Sequence, residues 1–494
     1  MNTKGRNLYI HRNLLALAII CLMAMSTGCR KLAEVDAPST TTSSENVYKD
    51  DATASAVFIG LYTRISQNYF SGGLVTFSGI GDLSADNIAL FDVNSGRGAT
   101  RYYQNNLEQN YDDEGTTFWH VGYDLLYTIN DAIIRLKDND NLTPVVRKRL
   151  LGEAYFLRAF CYFYLVNMYG DVPLILITDP VINSKAGRAP VTEVYTQMNE
   201  DLANAEQLLT MDYVPTDVTK TTSDKVRPNL AAVNALQARI FLYQKKYAEA
   251  EAAASKVIAQ SKYALTAPGL TFLKNSSETI WGLQTVSFGI NTYASQYLLL
   301  PESGPDGGNY NRVLTTSLLN NFEPGDLRRS DWVSSVQVDG NKYYYPTKYR
   351  QPVVGGSEEI QEYDIVLRLA EQYLIRAEAR NEQNNTSGAI QDLNTLRDDR
   401  RGPETIDVDN PLPAIDAAIT QTQLKSIILS ERRSELFTEW GHRWFDLRRS
   451  GTIDAVMIQE VKDKGVTWES YKALYPVPAR DILVDKALTQ NKGY

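Results

Sequence analysis

The sequence predicts a mostly α-helical protein with a loop-rich region that carries short β elements. Apolar residues recur with a helical period at about 50–67, 116–137, 144–169, 190–209, 229–243, 247–260, 363–383, 387–400 and 420–440. Helix-boundary residues accompany these segments, since Pro144 and Pro190 stand at first-turn positions and Gly170 follows a last apolar residue. Residues 68–115 and 265–360 lack the period, are rich in Gly, Asn, Tyr and Thr, and contain β-like runs such as ETIWGLQTV.

The first residues resemble an export signal that ends at a lipidation site. Lys4, Arg6 and Arg12 precede an apolar run over 14–25, and Cys29 follows the small residues at its end. The run is too short to span a bilayer and has the order of a secretory signal. A lipoprotein signal places a cysteine directly after the cleavage point, because the thiol carries the lipid. A plain secretory peptide with a chance cysteine is the alternative.

This interpretation divides the chain into three parts. We predict a signal peptide over 1–28, a lipid-bearing Cys29 that opens a Ser-, Thr- and Pro-rich tether over 29–46, and a domain over 47–494. Surface-displayed lipoproteins of this type often carry acidic residues directly after the cysteine, whereas Arg30 and Lys31 follow it here. The residues after Cys29 therefore do not indicate which side of the membrane the domain faces.

Composition and charge exclude several classes of function. The formal net charge is −9, and loss of the three basic residues in 1–28 leaves −12, which argues against nucleic acid and against electrostatic docking on anionic lipid. The mature chain has Cys161 as its second cysteine, and Cys29 is predicted to carry the lipid. An internal disulfide or a cysteine zinc site is therefore not expected. The 30 tyrosines against 14 phenylalanines suit wet binding surfaces as well as cores.

Two segments repeat a helix-turn-helix design. Residues 234–258 and 370–397 each contain a helix with alanines at contact positions, a polar turn and a second helix with alanines. Small residues let paired helices approach closely, so both segments look like tetratricopeptide units.

Four longer blocks resemble the SusD/RagB family of Bacteroidetes outer-membrane lipoproteins. They are GEAYFLRAFCYFYLVNMYGDVPL (152–174), LIRAEARNEQNNTSGAIQDLNTLRDDR (374–400), ERRSELFTEWGHRWFDLRRSG (431–451) and LYPVPARDILVDKALTQNKGY (474–494). The resemblance implies a SusD-like fold: tetratricopeptide-like helix pairs with loop-rich insertions at about 68–115 and 265–360.

The resemblance also implies capture of a nutrient, without catalysis. It implies a partner, a SusC-like TonB-dependent barrel, to which an oligosaccharide or polysaccharide is delivered, with a peptide as ligand in the RagB-like branch. Tetratricopeptide helices are the implied barrel contact, and aromatic rings in the loops are the implied ligand contact. We expect no catalytic residues, no metal and no cofactor. An assembly scaffold built from tetratricopeptide units is a further alternative.

Ligand-contacting residues are expected in the loop-rich regions, because rings supply apolar contact to sugars while polar groups satisfy hydroxyls. If 89–106 is extended, its adjacent tyrosines point to opposite faces. NKYYYPTKYR (341–350) is a further candidate or an ordinary strand, and for any single ring core packing is the alternative. Trp119 and Trp281 are assigned to the core. The candidates are Tyr69, Phe70, Arg101, Tyr102, Tyr103, Asn105, Phe288, Asn291 and Tyr293.

Charged residues in the family-like blocks predict a structural ion network. Within 431–451, acids and arginines spaced three or four apart can pair along one helical face. Glu153 and Arg158 lie in an otherwise apolar helix, where an unpaired buried charge is very costly. A catalytic role for paired carboxylates is the alternative. The predicted network comprises Glu153, Arg158, Glu431, Arg432, Glu435, Glu439, Arg443, Trp444 and Asp446.

Enzyme classes receive little support from motifs. A glycoside hydrolase needs two carboxylates about 5 to 9.5 Å apart, and the sequence marks no such pair. The mature chain has His120 and His442 without HExxH, and GxSxG does not occur. The cluster at 138–140 could touch calcium but lacks a full loop of ligands.

Overall fold

The computed structural model describes residues 47–67, 70, 76–95, 98–109, 117–287, 289–351 and 360–494. Cys29, the predicted signal peptide and the tether lie outside these residues. A compact unit spans Asp50–Tyr494. Its helices are α1 (Asp51–Gln67), α2 (Phe77–Ser84), α3 (Ala99–Tyr103), α4 (Thr117–Leu136), α5 (Pro144–Tyr169), α6 (Pro180–Asn183), α7 (Val191–Leu208), α8 (Leu230–Tyr243), α9 (Tyr247–Ile258), α10 (Tyr293–Leu298), α11 (Thr316–Leu319), α12 (Leu327–Asp331), α13 (Leu369–Glu382), α14 (Thr386–Asp398), α15 (Gln421–Leu436), α16 (His442–Ser450), α17 (Ile453–Asp463) and α18 (Ala479–Val484).

The strands are short and pair in twos. They are β1 (Ile88–Leu90), β2 (Val172–Pro173), β3 (Arg188–Ala189), β4 (Thr279–Leu283), β5 (Arg312–Leu314), β6 (Val333–Val338), β7 (Asn341–Pro346) and β8 (Asp364–Arg368). Within the described residues they form the antiparallel pairs β1–β5, β2–β3, β4–β8 and β6–β7. The predicted fold class, mostly helical with short β elements, is confirmed.

Helix α5 forms the centre of the core. It is apolar on most faces and buried along most of its length, and α4 and α7 pack against it. Phe156 and Phe160 meet Trp281 of β4 edge to face, with ring centroids 5.0 and 5.1 Å apart. Trp119 and Trp281 are both buried, as the sequence predicted.

The two predicted helix pairs are present as α8–α9 and α13–α14. Helix α9 also packs against α13, so the pairs stack on one another. Ala238, Ala250, Ala254 and Ala379 are fully buried in one cluster at this junction. Their small side chains allow the helix axes to approach, and the approach buries the apolar faces that one pair alone leaves exposed.

Two predicted helices are shorter than expected. Strand β8 occupies the beginning of 363–383, and α15 ends at Leu436 instead of continuing to 440. Beyond Leu436 the backbone N–H of Thr438 bonds Asp82 Oδ2 at 2.9 Å, and that of Trp440 bonds Ser78 Oγ at 2.9 Å. These tertiary hydrogen bonds replace helical ones, and both residues have positive φ, 55° and 45°.

The loop-rich region at 68–115 holds more helix than its composition predicts. Helix α2 begins at the cap Thr76, whose side chain accepts from Gly79 N at 3.1 Å. At Gly81 the helix approaches the backbone of Gly441, and a Cβ added there would lie 2.4 Å from Gly441 Cα. Glycine therefore permits the contact that fixes α2 against the start of α16.

Candidate functional site

The two loop-rich regions meet at the β1–β5 strand pair. Ile88 lies opposite Leu314 and Leu90 opposite Arg312, so residues more than 200 positions apart become neighbours. Asn311 extends this pairing by one step beyond the strands. Its backbone carbonyl accepts from Phe91 N at 3.0 Å, and its side-chain amide bonds both backbone groups of Asp92, at 2.7 and 2.8 Å.

This pairing presents Phe91 at the surface. The ring is 44 % exposed and meets Tyr343 of β7 edge to face, with centroids 5.4 Å apart. Strand β7 in turn packs against β5. Because the backbone on both sides of the pair is hydrogen-bonded, the two rings form a preorganised aromatic contact.

A second aromatic pair lies on α10, which also packs against β5. Tyr293 and Tyr297 are one helical turn apart and partly exposed, with ring planes 11° from parallel and centroids 6.3 Å apart. The Tyr293 hydroxyl is 2.6 Å from Ser287 Oγ. Cap Thr292 fixes the helix start by accepting from Ser295 N at 3.1 Å.

We define the aromatic surface as Phe91, Tyr293, Tyr297, Tyr310 and Tyr343. Phe91 follows β1, Tyr343 lies on β7 and the two tyrosines of α10 lie on a helix that packs against β5, while Tyr310 precedes β5 in sequence. Tyr310 is 37 % exposed and precedes Asn311. Exposed polar residues adjoin the rings in sequence at Asn94 and Asn309. Arg312 is buried below, and this burial lowers its pKa to about 10. These partly exposed rings and the exposed polar residues near them in sequence form a candidate binding surface.

The candidates of the 99–105 stretch lie elsewhere. This stretch forms helix α3 and its end, so the expectation that adjacent tyrosines of an extended chain point to opposite faces does not apply. Tyr102 is fully buried against Tyr475, and Tyr103 is buried beneath the Lys464 ammonium, 4.9 Å from its ring centroid. Asn105 is buried and donates to Ser84 O at 2.9 Å. Arg101 is partly exposed, and its Nη1 is 3.7 Å from Glu108 Oε1.

The remaining candidates divide between core, loop and undescribed positions. Phe70 is 1 % exposed and packs among Phe77 and Tyr164, which is the core-packing alternative. Asn291 is buried, and its Oδ1 accepts from two backbone N–H groups, those of 361 and 362. Tyr69 and Phe288 lie outside the described residues. Of the predicted residues, Tyr293 is therefore the one that joins the aromatic surface.

Sequence reasoning missed Phe91 and left Tyr343 undecided. The available signal for Phe91 was its position directly after the apolar run IAL and before DVN, where a short strand opens into a polar loop. The signal for Tyr343 was the run of three tyrosines in NKYYYP, because successive side chains of a strand point to opposite faces and the rings of such a run cannot all face the core.

The charged residues of 431–451 form a buried network centred on Glu435. Its carboxylate accepts from Arg368 at 2.6 Å, Arg400 at 2.9 Å and Arg328 at 3.1 Å. Burial opposes ionisation of Glu435, but the three guanidinium groups hold its pKa well below the usual range. Glu431 pairs with Arg328 and Arg397, and Glu439 with Arg368 and Lys348.

The partners of these residues differ from those expected along one helical face. Arg432 pairs with Asp446, fourteen positions away, at 2.7 Å. Arg443 binds Asp86 with two bonds of 2.6 and 2.7 Å. The helical face breaks at 437–441, so the charges face other elements. Asp86 lies two residues before β1, and the Arg443–Asp86 pair therefore ties α16 to the segment that leads into β1.

The other predicted network residues lie in the core. Glu153 is fully buried and accepts from Arg149, Arg227 and the Tyr62 hydroxyl. A second group is formed by Arg158, which binds Asp201 with bonds of 2.6 and 2.8 Å. Trp444 is 1 % exposed and packs edge to face on Trp468.

Asp82 of α2 is a buried carboxyl without an ion-pair partner among the described residues. It accepts from Thr438 N at 2.9 Å and from the Asn87 side chain. Burial raises its pKa from 3.8 to about 7. Between about pH 4 and 7 the folded protein therefore keeps a proton on Asp82 that the unfolded chain releases. The protonated carboxyl stabilises the fold fully below about pH 4, and this stabilisation is lost as pH rises from 4 through 7.

We predict that Asp82→Asn flattens the pH dependence of stability between pH 4 and 7. The difference in unfolding free energy between wild type and variant should change by a few kcal/mol across this window, since one pKa unit corresponds to about 1.4 kcal/mol. Urea unfolding at pH 5, 6, 7 and 8 measures it. Profiles that stay parallel would show that Asp82 does not titrate there.

No group of three or more potential metal ligands occurs within the described ranges. No helix of the described chain has the length and apolarity needed to cross a membrane.

Two family models match separate parts of the chain. The model described as "SusD family" matches residues 329–494, and the model described as "Starch-binding associating with outer membrane" matches residues 76–242. The first match contains Glu435 with its partners Arg368 and Arg400, and the second contains Phe91, α4 and α5.

Curated relatives cover nearly the full length. SusD-like protein P2 of Formosa agariphila is 26 % identical over 482 residues, covering 88 % of this chain and 90 % of the relative. SusD-like protein P38 of the same organism is 24 % identical and covers 96 % of this chain and 98 % of its own. The starch-binding protein SusD of Bacteroides thetaiotaomicron is 24 % identical over 452 residues, 74 % of this chain and 77 % of that protein.

Solved structures share the fold. A SusD-like protein of Bacteroides fragilis superposes with a TM-score of 0.73 at 20 % identity, covering 91 % of this chain and 98 % of that one. A laminarin-binding SusD-like protein gives 0.70 at 22 % identity, with 89 % and 99 % covered. Surface glycan-binding protein A of Bacteroides uniformis gives 0.72 at 20 % identity, with 89 % and 99 % covered. At these identities the structures establish the fold.

Proposed function

Because this chain belongs to the SusD/RagB family, we propose that it captures an oligosaccharide or polysaccharide on the aromatic surface and delivers it to a SusC-like TonB-dependent transporter. The observation that carries the proposal is the surface itself. Two distant loop regions are joined at β1–β5, and the junction exposes Phe91 on Tyr343, while the tyrosine pair of α10 lies on a helix that packs against the same strand β5.

The chemistry of this surface suits a sugar. A pyranose ring has C–H groups on its faces and hydroxyls on its rim, so an aromatic face takes the apolar contact. The hydroxyls must then be hydrogen-bonded, because a buried polar group without a partner costs about 1–3 kcal/mol. The Ser287 hydroxyl contacts Tyr293, and the exposed Asn94 and Asn309 lie near the rings in sequence, so these residues can supply donors and acceptors.

The proposed location is the outer membrane, with the domain facing the cell exterior. Lipid on Cys29 would anchor the chain, and the tether over 29–46 would connect the lipid to the domain. Each buried methylene contributes about 0.8 kcal/mol and stable anchoring takes more than one acyl chain, which a lipoprotein modification supplies. The description of the model matched by residues 76–242 supports this location.

The tetratricopeptide pairs α8–α9 and α13–α14 stay the predicted barrel contact, and we further propose a second contact face on α4, α6 and α18. An apolar face supports this, since Tyr127 of α4, Val181 and Ile182 of α6 and Val484 of α18 are all more than half exposed. A groove of about 370 Å³ lies among these helices. Tyr127 and Val484 line this groove, and exposed apolar groups beside a groove are typical of a protein contact.

The experiment is binding of the unlipidated protein, residues 30–494, to a panel of polysaccharides and peptides by affinity electrophoresis and calorimetry. We expect saturable binding to at least one glycan with the glycan recovered intact. Hydrolysis products would contradict the proposal and indicate an enzyme. A peptide that binds while every glycan fails would instead assign the chain to the peptide-importing branch.

A further inference from the structure

A pocket distinct from the aromatic surface has three cations among its lining residues. It has a volume of about 380 Å³ and lies between the end of α5, strand β3, the end of α16 and residues 490–492. Its lining includes Arg188, Arg448 and Lys492, with Asp171 as its acidic residue. The lining therefore carries a formal excess of positive charge in a protein whose overall charge is strongly negative.

Among the described residues Arg448 forms no ion pair, although the Asp171 carboxylate lines the same pocket. Its Nη1 is excluded from solvent and has no hydrogen-bond partner among the described residues. Burial lowers its pKa to about 10, and its electrostatic neighbours are Tyr195, Tyr243 and Tyr475. Burial raises the pKa of all three phenols, so they are neutral near pH 7 and cannot balance the charge.

The adjacent arginine shows the ordinary arrangement. Arg449 donates to both oxygens of Glu378, at 2.5 and 2.8 Å, and to Asp446 at 2.7 Å. A buried cation paired in this way is compensated, whereas an unpaired one is strongly destabilising. Two successive residues of α16 thus differ in whether the fold itself supplies the anion.

Arg188 forms a fixed wall of the same pocket. Its guanidinium donates to three backbone carbonyls and one side-chain amide oxygen, and these acceptors carry no formal charge: Tyr169 O, Asp171 O, Thr489 O and Asn491 Oδ1. The carboxylate of Asp171 accepts from Val191 N at 2.9 Å and lies on an exposed residue. These bonds use four of the five guanidinium N–H groups and hold Arg188 in place, without a carboxylate among the acceptors.

We propose that this pocket binds a small anionic group, an oxyanion such as sulfate or phosphate or a carboxylate, with Arg448 as the principal counter-charge. A planar guanidinium matches such groups with two parallel hydrogen bonds. Lys492 is exposed at the pocket and adds a second, mobile donor. The volume exceeds that of one ion, so the anion can be free or part of a larger molecule. The site is independent of the proposed glycan surface.

The test is the melting temperature of residues 30–494 as sulfate, phosphate or acetate replaces chloride up to about 50 mM at constant ionic strength. A ligand that binds the folded state stabilises it in a saturable way. We expect such a rise for wild type with at least one of the three anions. Glucuronate, with glucose as its uncharged control, distinguishes the source of the anion. A rise in melting temperature larger than that with acetate assigns a carboxylate carried on a sugar, and an equal rise assigns the free ion.

Two variants and a control connect the response to the pocket. Arg448→Met should abolish the response and leave the melting temperature in chloride unchanged or higher, because an unpaired buried charge is removed. Lys492→Met should weaken half-saturation by about two- to fivefold. Lys148→Met removes one exposed charge near the other end of α5, about 27 Å away at 1.5 Å per residue, and should respond as wild type. No saturable rise in wild type, or an equal rise in Arg448→Met, would overturn the proposal.

Discussion

Phe91→Ala is expected to weaken glycan binding about thirtyfold or more. A rigid aromatic at the centre of an interface typically contributes about 2 kcal/mol or more, and each 1.4 kcal/mol is tenfold in affinity. Phe91 is held by the Asn311 bonds and presents nearly half its surface, so its alanine variant loses a prepared contact. Calorimetry with the best glycan of the panel measures the loss.

Tyr343→Ala should also weaken binding, because it removes the ring that supports Phe91. The two residues are in contact, so the double variant should lose less than the sum of the single losses. Tyr127→Ala is the matched control, since this ring is 55 % exposed but lies on α4. Wild-type affinity in both surface variants, with the fold intact, would move the ligand site away from β5.

Glu435→Ala should lower the free energy of unfolding by about 3–5 kcal/mol, the cost typical of breaking a buried charge pair from one side. The variant leaves Arg328, Arg368 and Arg400 buried without the carboxylate that they share. These three arginines come from α12, β8 and the turn after α14, so the loss affects the packing of several elements. Urea unfolding gives the change.

An exposed acid provides the comparison for Glu435. Glu206 pairs with Lys256 at 2.7 Å, but both side chains are substantially exposed, and Glu206→Ala should cost less than about 1 kcal/mol. Glu435→Gln keeps the shape and one acceptor oxygen, so its loss should lie between the two. Similar small losses in Glu435→Ala and Glu206→Ala would show that the network does not stabilise the fold.

Most of the helical scaffold could be predicted from the sequence, because the helices carry their own signals. The period of α5, with Pro144 at its start and Gly170 at its end, predicts it almost to the residue. The alanine spacing of α8–α9 and α13–α14 likewise predicts close helix pairs. In each case the residues that determine the element lie within the element, so local chemistry is sufficient.

The charged residues could be predicted as a network, but their partners could not. Periodicity predicted pairs three and four apart, whereas Arg443 binds Asp86 and Arg432 binds Asp446. The helix break after Leu436 turns these side chains toward other elements. That break depends on Asp82 and Ser78, which satisfy backbone N–H groups from more than 350 positions away.

The sequence by itself determined the mostly helical fold class, the helix pairs, the family resemblance and the need to pair charges in apolar helices. Only the tertiary structure decided which rings face outward, because exposure depends on what packs on the other side. Tyr102 and Phe91 both lie in the first loop-rich region, yet one is buried against Tyr475 and the other is exposed on Tyr343. The β1–β5 pairing places Phe91 at the surface, and its register joins segments whose contact no local pattern encodes.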